Sequence, residues 1–432
     1  MLQNYLKIAF RNIFRNSFYS VISISGLAIG ITASALILLF VSHEYSFDKF
    51  HKNGNEIYRI LSTMNFGGRQ FPSNRFSTSG GPKIKESSPE VINFVRTRLS
   101  PKVVVQSDTD HRFFENQFLF ADPSFFQAFS FEVIRGSAAL LMRPNTVMLT
   151  ERTAKKYFDD GNPVGQTITY GKETIFEVIG IIKDSPSNSS LQFDFVGSFS
   201  SLGIIPSEKN IYTEDESAAY ITYLQLKPGS SSEKIKNLLP VIISHKDVQY
   251  SLEPLTGIHL TNTPENTSNN RNITIFLFIA ILVLTLALVN YVNLTTARST
   301  TRAKEVGIRK TLGAKRGTLT SQFYVESALM TIIAFALAYM LIEMLTPVFL
   351  SELQQDIDRT FLKSQLFLGL MVFLLVVCIF LSGSYPSVVL SQFKPADALK
   401  GKFSISNRGA WIRHGFTVFQ FSVSIALIIC SL

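Results

Sequence analysis

The chain of 432 residues contains only two cysteines, Cys378 and Cys430, and both fall in long apolar blocks. The region 42–272, which lies between the first two of those blocks, contains none. No disulfide can therefore form within it, although a region of about 230 residues can bury a core of its own. We expect this region to be stable without disulfides.

Motifs for catalysis and nucleotide binding are also missing. The chain has no GxxxxGK[ST] phosphate-binding loop, no GxSxG serine elbow and no HExxH zinc motif. Its six histidines show no metal-ligand spacing, and after His43-Glu44 the second histidine of HExxH is replaced by Phe47. The sequence therefore predicts a protein that is not an enzyme and that binds no metal or cofactor itself.

Charged residues are scarce as well, at 17% of the chain against roughly 25% in soluble domains. The apolar residues are concentrated in five blocks, at 21–41, 273–297, 323–350, 366–390 and 416–432. The first four have the length of roughly 20 residues that a helix needs to cross the hydrocarbon layer. The first is too long for a cleavable signal peptide and lacks a cleavage pattern. The sequence predicts a polytopic membrane protein.

The net charge of +9 is concentrated in three short segments. Residues 1–20, 298–322 and 392–415 together carry 15 basic and two acidic residues. The positive-inside rule places these segments in the cytoplasm, and alternate threading of the spans then places 42–272 and the acidic loop 351–365 outside. The charge thus indicates membrane topology and argues against nucleic-acid binding.

The predicted fold is an α-helical polytopic membrane protein, with four complete spans plus the start of a fifth and a large α+β extracytoplasmic domain between spans 1 and 2. In chain order the predicted segments are a cytoplasmic interfacial helix (1–20), span 1 (21–41), the external domain (42–272), span 2 (273–297), a cytoplasmic loop (298–322), span 3 (323–350), an external loop (351–365), span 4 (366–390), a cytoplasmic linker (391–415) and the start of span 5 (416–432).

Local patterns predict several elements more closely. Residues 176–182 and 220–226 have strand-like sequences that end in turn residues. Residues 150–157 and 231–239 predict helices, the first with its initial threonine as N-cap. Residues 80–89 are rich in Gly, Ser and Pro and predict turns. In the N-terminal segment, apolar residues at helical spacing oppose three cations, which favours a helix in the membrane interface over a plain extension of span 1.

Six segments have sequences typical of one protein family. They are EYSFDKFHKNGNEIYRI (44–60), ADPSFFQAFSFEVIRG (121–136), LTERTAKKYFDDGNPVGQT (149–167), the stretch 176–195 with GIIKDSPSNSSLQFDF, the loop within 290–314, and SGSYPSVVLSQFKPADALKG (382–401). They resemble the MacB/FtsX superfamily of ABC transporter permeases, especially its two-halved members from the Bacteroidetes, in which 290–314 corresponds to the coupling loop. The resemblance extends over nearly the whole chain, with the segments in the expected order.

The resemblance implies the permease subunit of an ABC-type mechanotransmission transporter in the bacterial inner membrane. A separate cytoplasmic ATPase would bind ATP and move a periplasmic MacB-like domain, for export or for lipoprotein release. MacB itself carries a nucleotide-binding domain, whose phosphate-binding loop does not occur in this sequence. The implied partners are the ATPase, a second permease half or a homodimer, membrane lipids, and a periplasmic adaptor or outer-membrane channel.

Two other functions stay open at this point. One is an FtsX-like signalling or regulatory membrane protein that controls a periplasmic partner, and the other is a scaffold that works without an ATPase. FtsX-like regulators carry a small external domain, so the large one here favours transport. The apolar block 416–432 comes directly after a basic segment, just as span 1 comes directly after the basic residues of the N-terminal segment. We therefore expect the chain to be the N-terminal portion of a longer permease with a second, similar half.

The resemblance assigns ATPase coupling to a set of residues in the loop 298–322, namely Arg302, Lys304, Glu305, Gly307, Arg309, Lys310, Gly313 and Ala314. Glu305 and Arg309 are four apart, which stabilises a helix by a few tenths of a kcal/mol. Gly313 is placed to end that helix in a left-handed conformation, and Gly307 allows close approach of a partner. Arg309 and Lys310 are placed to pair with acids on the ATPase. The alternative is that these cations only set topology and contact anionic lipids.

Three polar residues in or near the apolar blocks are candidates for contacts between helices. Glu326 lies near the cytoplasmic end of the third block, where an ionisable group usually faces protein or water. Asn290 and Asn293 lie toward the inner end of the second block and predict hydrogen bonds between helices. Polar residues that merely sit in the interface would look the same.

Overall fold

The chain divides into two units, Met1–His43 with Arg271–Leu432, and Glu44–Asn270. We call the first the membrane unit and the second the external domain. The computed structural model describes residues 2–108, 111–213, 219–243, 248–261, 270–297, 306–353, 357–391 and 407–431.

Helices make up the membrane unit. They are α1 (Leu2–Arg15), α2 (Ser17–Glu44), α8 (Asn270–Ala297), α9 (306–311), α10 (Arg316–Glu352), α11 (Gln365–Ser391) and α12 (Asn407–Ser431), with a 3-10 turn at Arg359–Lys363. Among the described residues, α2, α8, α10 and α11 are long and apolar enough to cross a membrane. The predicted fold with four complete spans is thus confirmed, and the predicted start of the fifth lies in α12.

Helices α2 and α8 pack closely because small residues face each other. A Cβ placed on Gly30 of α2 would lie only 2.2 Å from the Cβ of Ala287 on α8. One turn further along α2, the Ser34 hydroxyl donates a hydrogen bond of 3.0 Å to the carbonyl of Ala280. Small residues four apart are the usual means by which two membrane helices approach so closely.

Helix α1 has a different character, since one side is apolar and exposed. Leu6, Phe10 and Phe14 follow one another at four-residue spacing, and Phe14 has 74% of its surface exposed. Ala9, in contrast, is buried. An exposed apolar face beside the cations Lys7, Arg11 and Arg15 suits the boundary between lipid headgroups and acyl chains.

The external domain is built on a mixed sheet of 14 strands. The strands are β1 (Ile57–Phe66), β2 (Arg69–Ser73), β3 (Arg75–Phe76), β4 (Val91–Leu99), β5 (Val103–Gln106), β6 (Arg112–Glu115), β7 (Phe118–Ala121), β8 (Val133–Gly136), β9 (Thr146–Thr150), β10 (Thr167–Tyr170), β11 (Thr174–Ile182), β12 (Phe195–Ser198), β13 (Tyr220–Leu226) and β14 (Val248–Pro254). The helices are α3 (Gly80–Ser87), α4 (Phe125–Ala128), α5 (Glu151–Phe158), α6 (Lys209–Thr213) and α7 (Ser232–Ile243), with 3-10 turns at Ala138–Met142, Phe199–Gly203 and Leu255–Leu260.

The strand order runs β14-β1-β13-β4-β7-β12-β9-β11-β10-β5-β6, with β2, β3 and β8 paired to β1, β13 and β11. Most pairs are antiparallel, while β9 with β11 and β7 with β12 are parallel. Large apolar clusters cover the sheet, and many of their members are aromatic. Phe118, for example, is fully buried and stacks on Phe195 at 5.0 Å between ring centroids. Such burial stabilises the domain without disulfides.

Most local predictions for this domain agree with the structure. The strand-like runs lie in β11 and β13, and the predicted helices correspond to α5 and α7. The Thr150 hydroxyl caps α5 by accepting a bond from the Thr153 amide. The prediction of turns at 80–89 was wrong, because α3 occupies most of that segment. Its two glycines are there for packing, since a Cβ on Gly80 or Gly81 would lie 2.2 Å or 2.7 Å from a phenylalanine ring.

Candidate functional site

The candidate coupling site is a short helical hairpin formed by α9, the turn after it and the start of α10. The turn closes where the Ala314 amide bonds to the Arg309 carbonyl at 3.0 Å and the Gly313 amide to the Lys310 carbonyl at 3.1 Å. Gly313 has a φ of +91°, in the left-handed region that glycine adopts without strain. This is the role that the sequence predicted for a glycine at the end of a helix.

One side of α9 packs on α10. Val306 is 3% exposed and lies in a small apolar cluster with Leu319 and Phe323 of α10, against which Ala314 packs. Gly307 is buried as well. The cluster joins the two arms of the hairpin, so that α9 and the first turns of α10 form one packed element.

A charged hydrogen bond also joins the two arms. The Arg309 guanidinium donates from Nη1 to the side-chain oxygen of Gln322 at 2.7 Å, and Gln322 is buried. A bond from an ionised donor is stronger than a neutral one. Arg309, which the sequence offered as a contact for the ATPase, is therefore used at least in part by the fold of the hairpin itself.

Lys310 lies beside this bond and is half-buried. Burial, and secondarily the neighbouring Arg316 charge, lower the pKa of Lys310. A carboxylate of a partner would offset both effects, because it would replace lost hydration and oppose the nearby positive charge. A carboxylate placed next to Lys310 would therefore raise its pKa again.

The outer side of the hairpin carries two apolar side chains that the sequence analysis overlooked. Ile308 is 44% exposed and Leu312 is 82% exposed. They are four positions apart at the end of α9, so they lie on one face, and Lys315 and Arg316 next to them are exposed too. We call Ile308 and Leu312 the hairpin tip. Their spacing within a basic segment was the signal that could have revealed them.

The remaining coupling candidates, Arg302, Lys304 and Glu305, lie outside the described residues. Their assignment to ATPase coupling stays a prediction.

Next to the hairpin, polar side chains connect several membrane helices. Glu326 is one turn after Gln322 on α10, is 6% exposed, and accepts a bond of 3.4 Å from the Asn12 amide of α1. On α8, the Thr295 hydroxyl accepts a bond of 3.1 Å from the Tyr19 hydroxyl of α2. The Tyr291 side chain is fully buried and points its hydroxyl at the sulfur of Met330 on α10. Polar contacts thus link α1, α2, α8 and α10.

Asn290 and Asn293 are half-buried on α8. Asn290 lies beside α2, since a Cβ on Gly26 would be 3.6 Å from its Nδ2. The contacts between helices described above for this part of α8 are made by its neighbours Tyr291 and Thr295. The bridging role of Asn290 and Asn293 stays a prediction.

Across the described residues, no three His, Cys, Asp or Glu side chains are grouped so that they could hold a metal ion. The hairpin combines an apolar tip, flanking cations and a base braced by the bond between Arg309 and Gln322.

Comparison with known proteins identifies the family of the chain. A model of the MacB-like periplasmic core domain family matches residues 20–240. A model of the FtsX-like permease C-terminal family matches residues 277–395, which include the hairpin. The chain belongs to the MacB/FtsX family of ABC transporter permeases. Its external domain is therefore a MacB-like periplasmic core domain, and it is a membrane protein.

Individual relatives are distant. The uncharacterized ABC transporter permease YvrN of Bacillus subtilis is 23% identical over 430 residues, which cover 92% of this chain and 99% of YvrN. The macrolide export ATP-binding/permease protein MacB of Acinetobacter baylyi is 22% identical over 198 residues, or 45% of this chain and 28% of that protein. A crystal structure of the periplasmic region of MacB from Actinobacillus actinomycetemcomitans matches 46% of this chain and 88% of that one, with a TM-score of 0.35 and 14% identity.

Proposed function

We propose that this permease transmits movement from a separate cytoplasmic ATPase to its external domain, and that the hairpin of α9 and α10 is the contact with that ATPase. The movement would serve export of a compound or release of a lipoprotein outside the inner membrane, with the N-terminus in the cytoplasm. The observation that carries the proposal is the exposed tip of Ile308 and Leu312 on a hairpin braced by the bond between Arg309 and Gln322.

The tip suits a protein partner. A leucine that leaves 82% of its surface in water gains stability when a partner buries it, by about 2 kcal/mol. The surrounding cations would orient the partner and speed its association, because charges at the rim of an interface raise the association rate more than the affinity. A partner with an apolar groove and an acidic rim fits these features.

The base of the hairpin suits transmission. A push on α9 reaches α10 through the Arg309 bond and the cluster around Val306. One turn further, Glu326 connects α10 to α1 through Asn12. Because each contact is buried or half-buried and short in range, a displacement at the tip moves these helices together instead of bending a loop. The buried position of Glu326 within this contact supports a mechanical role.

The experiment is purification of the full-length protein in mild detergent, with mass spectrometry and an ATPase assay. We expect an ABC ATPase to copurify. Leu312→Asp should weaken its association roughly 30-fold, the equivalent of about 2 kcal/mol, with membrane insertion unchanged. Ile204→Asp is the matched control, because Ile204 is an exposed apolar residue of the external domain.

Charge is tested separately. Lys310→Glu should lower stimulation of the ATPase, whereas Arg309→Gln should loosen the hairpin and reduce both stimulation and thermal stability. Full association and stimulation in Leu312→Asp and Lys310→Glu would refute the docking role of the hairpin. Recovery of a periplasmic hydrolase or a sensor kinase without any ATPase would instead favour the regulatory function.

A further inference from the structure

The external domain begins and ends at the same edge of its sheet. Strand β1, the first of the domain, pairs with β14, the last, in an antiparallel register that runs from Tyr58 opposite Pro254 to Met64 opposite Val248. The segment before β1 follows directly on α2, which ends at Glu44. The 3-10 turn Leu255–Leu260 follows directly on β14.

Within the domain, these two connecting segments contact each other through three side chains. The Glu44 carboxylate lies 2.9 Å from Nε2 of His259, and Glu44 is only 1% exposed. The ring of Phe47 stacks on the same imidazole, with 3.4 Å between centroids and 3° between planes. A buried carboxylate and an aromatic ring of the first segment thus both contact one histidine of the second segment. We call Glu44, Phe47 and His259 the clasp.

The first segment is also fastened to a loop of the domain. The Asp48 amide donates to the Asn188 carbonyl at 2.9 Å, and the Ser190 amide donates back to Oδ1 of Asp48 at 2.9 Å. The Asn188 side chain donates to the Ser46 hydroxyl at 2.9 Å. A pull on the end of α2 therefore reaches this loop as well as the sheet edge.

The clasp borders a cavity of the domain. Phe47 and His259 line a cavity of about 380 Å³ together with Arg59 and Tyr223 of the neighbouring strands. The cavity lies beside the stack of Phe47 and His259, so packed side chains do not enclose the two rings on that side.

We propose that Glu44, Phe47 and His259 are positioning residues that couple the two membrane connections of the external domain, so that movement of the first span shifts the whole sheet edge. The inference rests on the proposed function, because it requires force from the ATPase. Without the clasp, a pull on Glu44 would load β1 and the loop at Asn188, and would reach β14 only through its hydrogen bonds to β1. With it, both strands are loaded together and their bonds resist at once.

The test uses the full-length protein with its copurified ATPase in lipid nanodiscs, and hydrogen exchange read by mass spectrometry with and without ATP and vanadate. In the wild type we expect nucleotide to change exchange in peptides over β1 and β14. In His259→Ala, exchange of the segment 44–52 should rise at least about tenfold and the nucleotide-dependent change should disappear, while ATPase stimulation stays within about twofold of wild type. A tenfold rise corresponds to about 1.4 kcal/mol of lost local stability.

Two variants control for a merely structural effect. His111→Ala removes a histidine that pairs with Asp108 on the surface of the same domain, and it should behave as wild type. Phe47→Tyr keeps the stacking ring and should retain the nucleotide-dependent change that Phe47→Ala loses. If His259→Ala does not fold, Glu44→Gln, which keeps the shape of the side chain but not its charge, should show the same loss to a smaller degree.

The outcomes separate the two proposals. An unchanged nucleotide response in both His259→Ala and Phe47→Ala would overturn the clasp and leave the proposed function standing. A wild-type protein whose external domain shows no response to nucleotide would overturn the proposed function and the clasp with it.

Discussion

Replacing Asp48 by asparagine would measure what one buried charge costs at the base of the external domain. Asp48 is fully buried, and only its Oδ1 has a hydrogen-bond partner among the described residues, the Ser190 amide. Burial raises the pKa of Asp48 to about 6, although the bond to Ser190 and the nearby charges of His259 and Arg59 act in the opposite direction. The residue also has a φ of +57°, which asparagine tolerates better than most residues.

The magnitude follows from the gap between the two pKa values of this carboxyl. A folded-state pKa of about 6 against an ordinary 3.8 corresponds to about 3 kcal/mol. Because the folded value is the higher one, the contribution of Asp48 to stability is fully present below pH 3.8 and is lost as pH rises through 6. Asparagine keeps the acceptor for Ser190 and carries no charge. Asp48→Asn should therefore increase local stability by about 1–3 kcal/mol near neutral pH, with little gain in acid.

The assay is native-state hydrogen exchange at the Ser190 amide in the full-length protein, corrected for the intrinsic rate at each pH, since this amide opens when the contact with Asp48 breaks. The wild type should lose protection between about pH 4 and 6 and stay constant above that range, whereas Asp48→Asn should not lose protection. Asp159→Asn is the control, because Asp159 has a similar φ of +50° but a carboxylate that is 80% exposed. A flat wild-type profile, or weaker protection in Asp48→Asn near neutral pH, would refute this account of the buried charge.

Two further substitutions test packing and pairing. Gly30→Val should separate α2 from α8 and lower the yield and melting temperature of the protein in detergent, since even a Cβ would lie 2.2 Å from α8, whereas Gly369→Val, whose Cβ meets nothing within 4 Å, should not. Equal stability of these variants would contradict the close packing. Arg96→Ala should lower the free energy of unfolding of the external domain by about 3–5 kcal/mol in denaturant titration, because it strands the buried Asp122 carboxylate. Arg143→Ala breaks an exposed ion pair and should cost less than about 1 kcal/mol, and a similar loss in both variants would argue against burial as the cause.

The membrane helices could be predicted from the sequence because a bilayer leaves few alternatives. Their backbone groups must bond within the segment, so a long apolar block becomes a helix whatever surrounds it. In the external domain the same kind of reasoning worked for β13, whose sequence alternates, and failed for α3. The glycines of α3 signalled a turn, but Phe76 and Phe94 require small residues at that point. Only the residues that pack around a glycine in the folded domain show whether it is needed for a turn or for close packing.

The hairpin of α9 and α10 shows the same limit of sequence-based prediction in the partners of its charged residues. Local spacing predicted a helix that ends at Gly313, because a left-handed residue leaves a signature in the sequence. Local spacing could not predict the bond from Arg309 to Gln322, or the contact of Tyr19 with Thr295 across 276 positions. In both pairs the two residues lie on different helices, so no pattern within one helix reveals them.

The distinction matters for how the loop is tested. By sequence alone, Arg309 and Lys310 are two equivalent cations, and the reversal of both charges at once is then a direct test of docking. The structure separates them, because Arg309 braces the two arms of the hairpin while Lys310 lies beside an exposed apolar tip. A double reversal would abolish coupling whether or not either residue touches the ATPase. Substitution of Leu312, which is largely exposed, alters the tip without removing the brace, and its effect on association therefore reports docking itself.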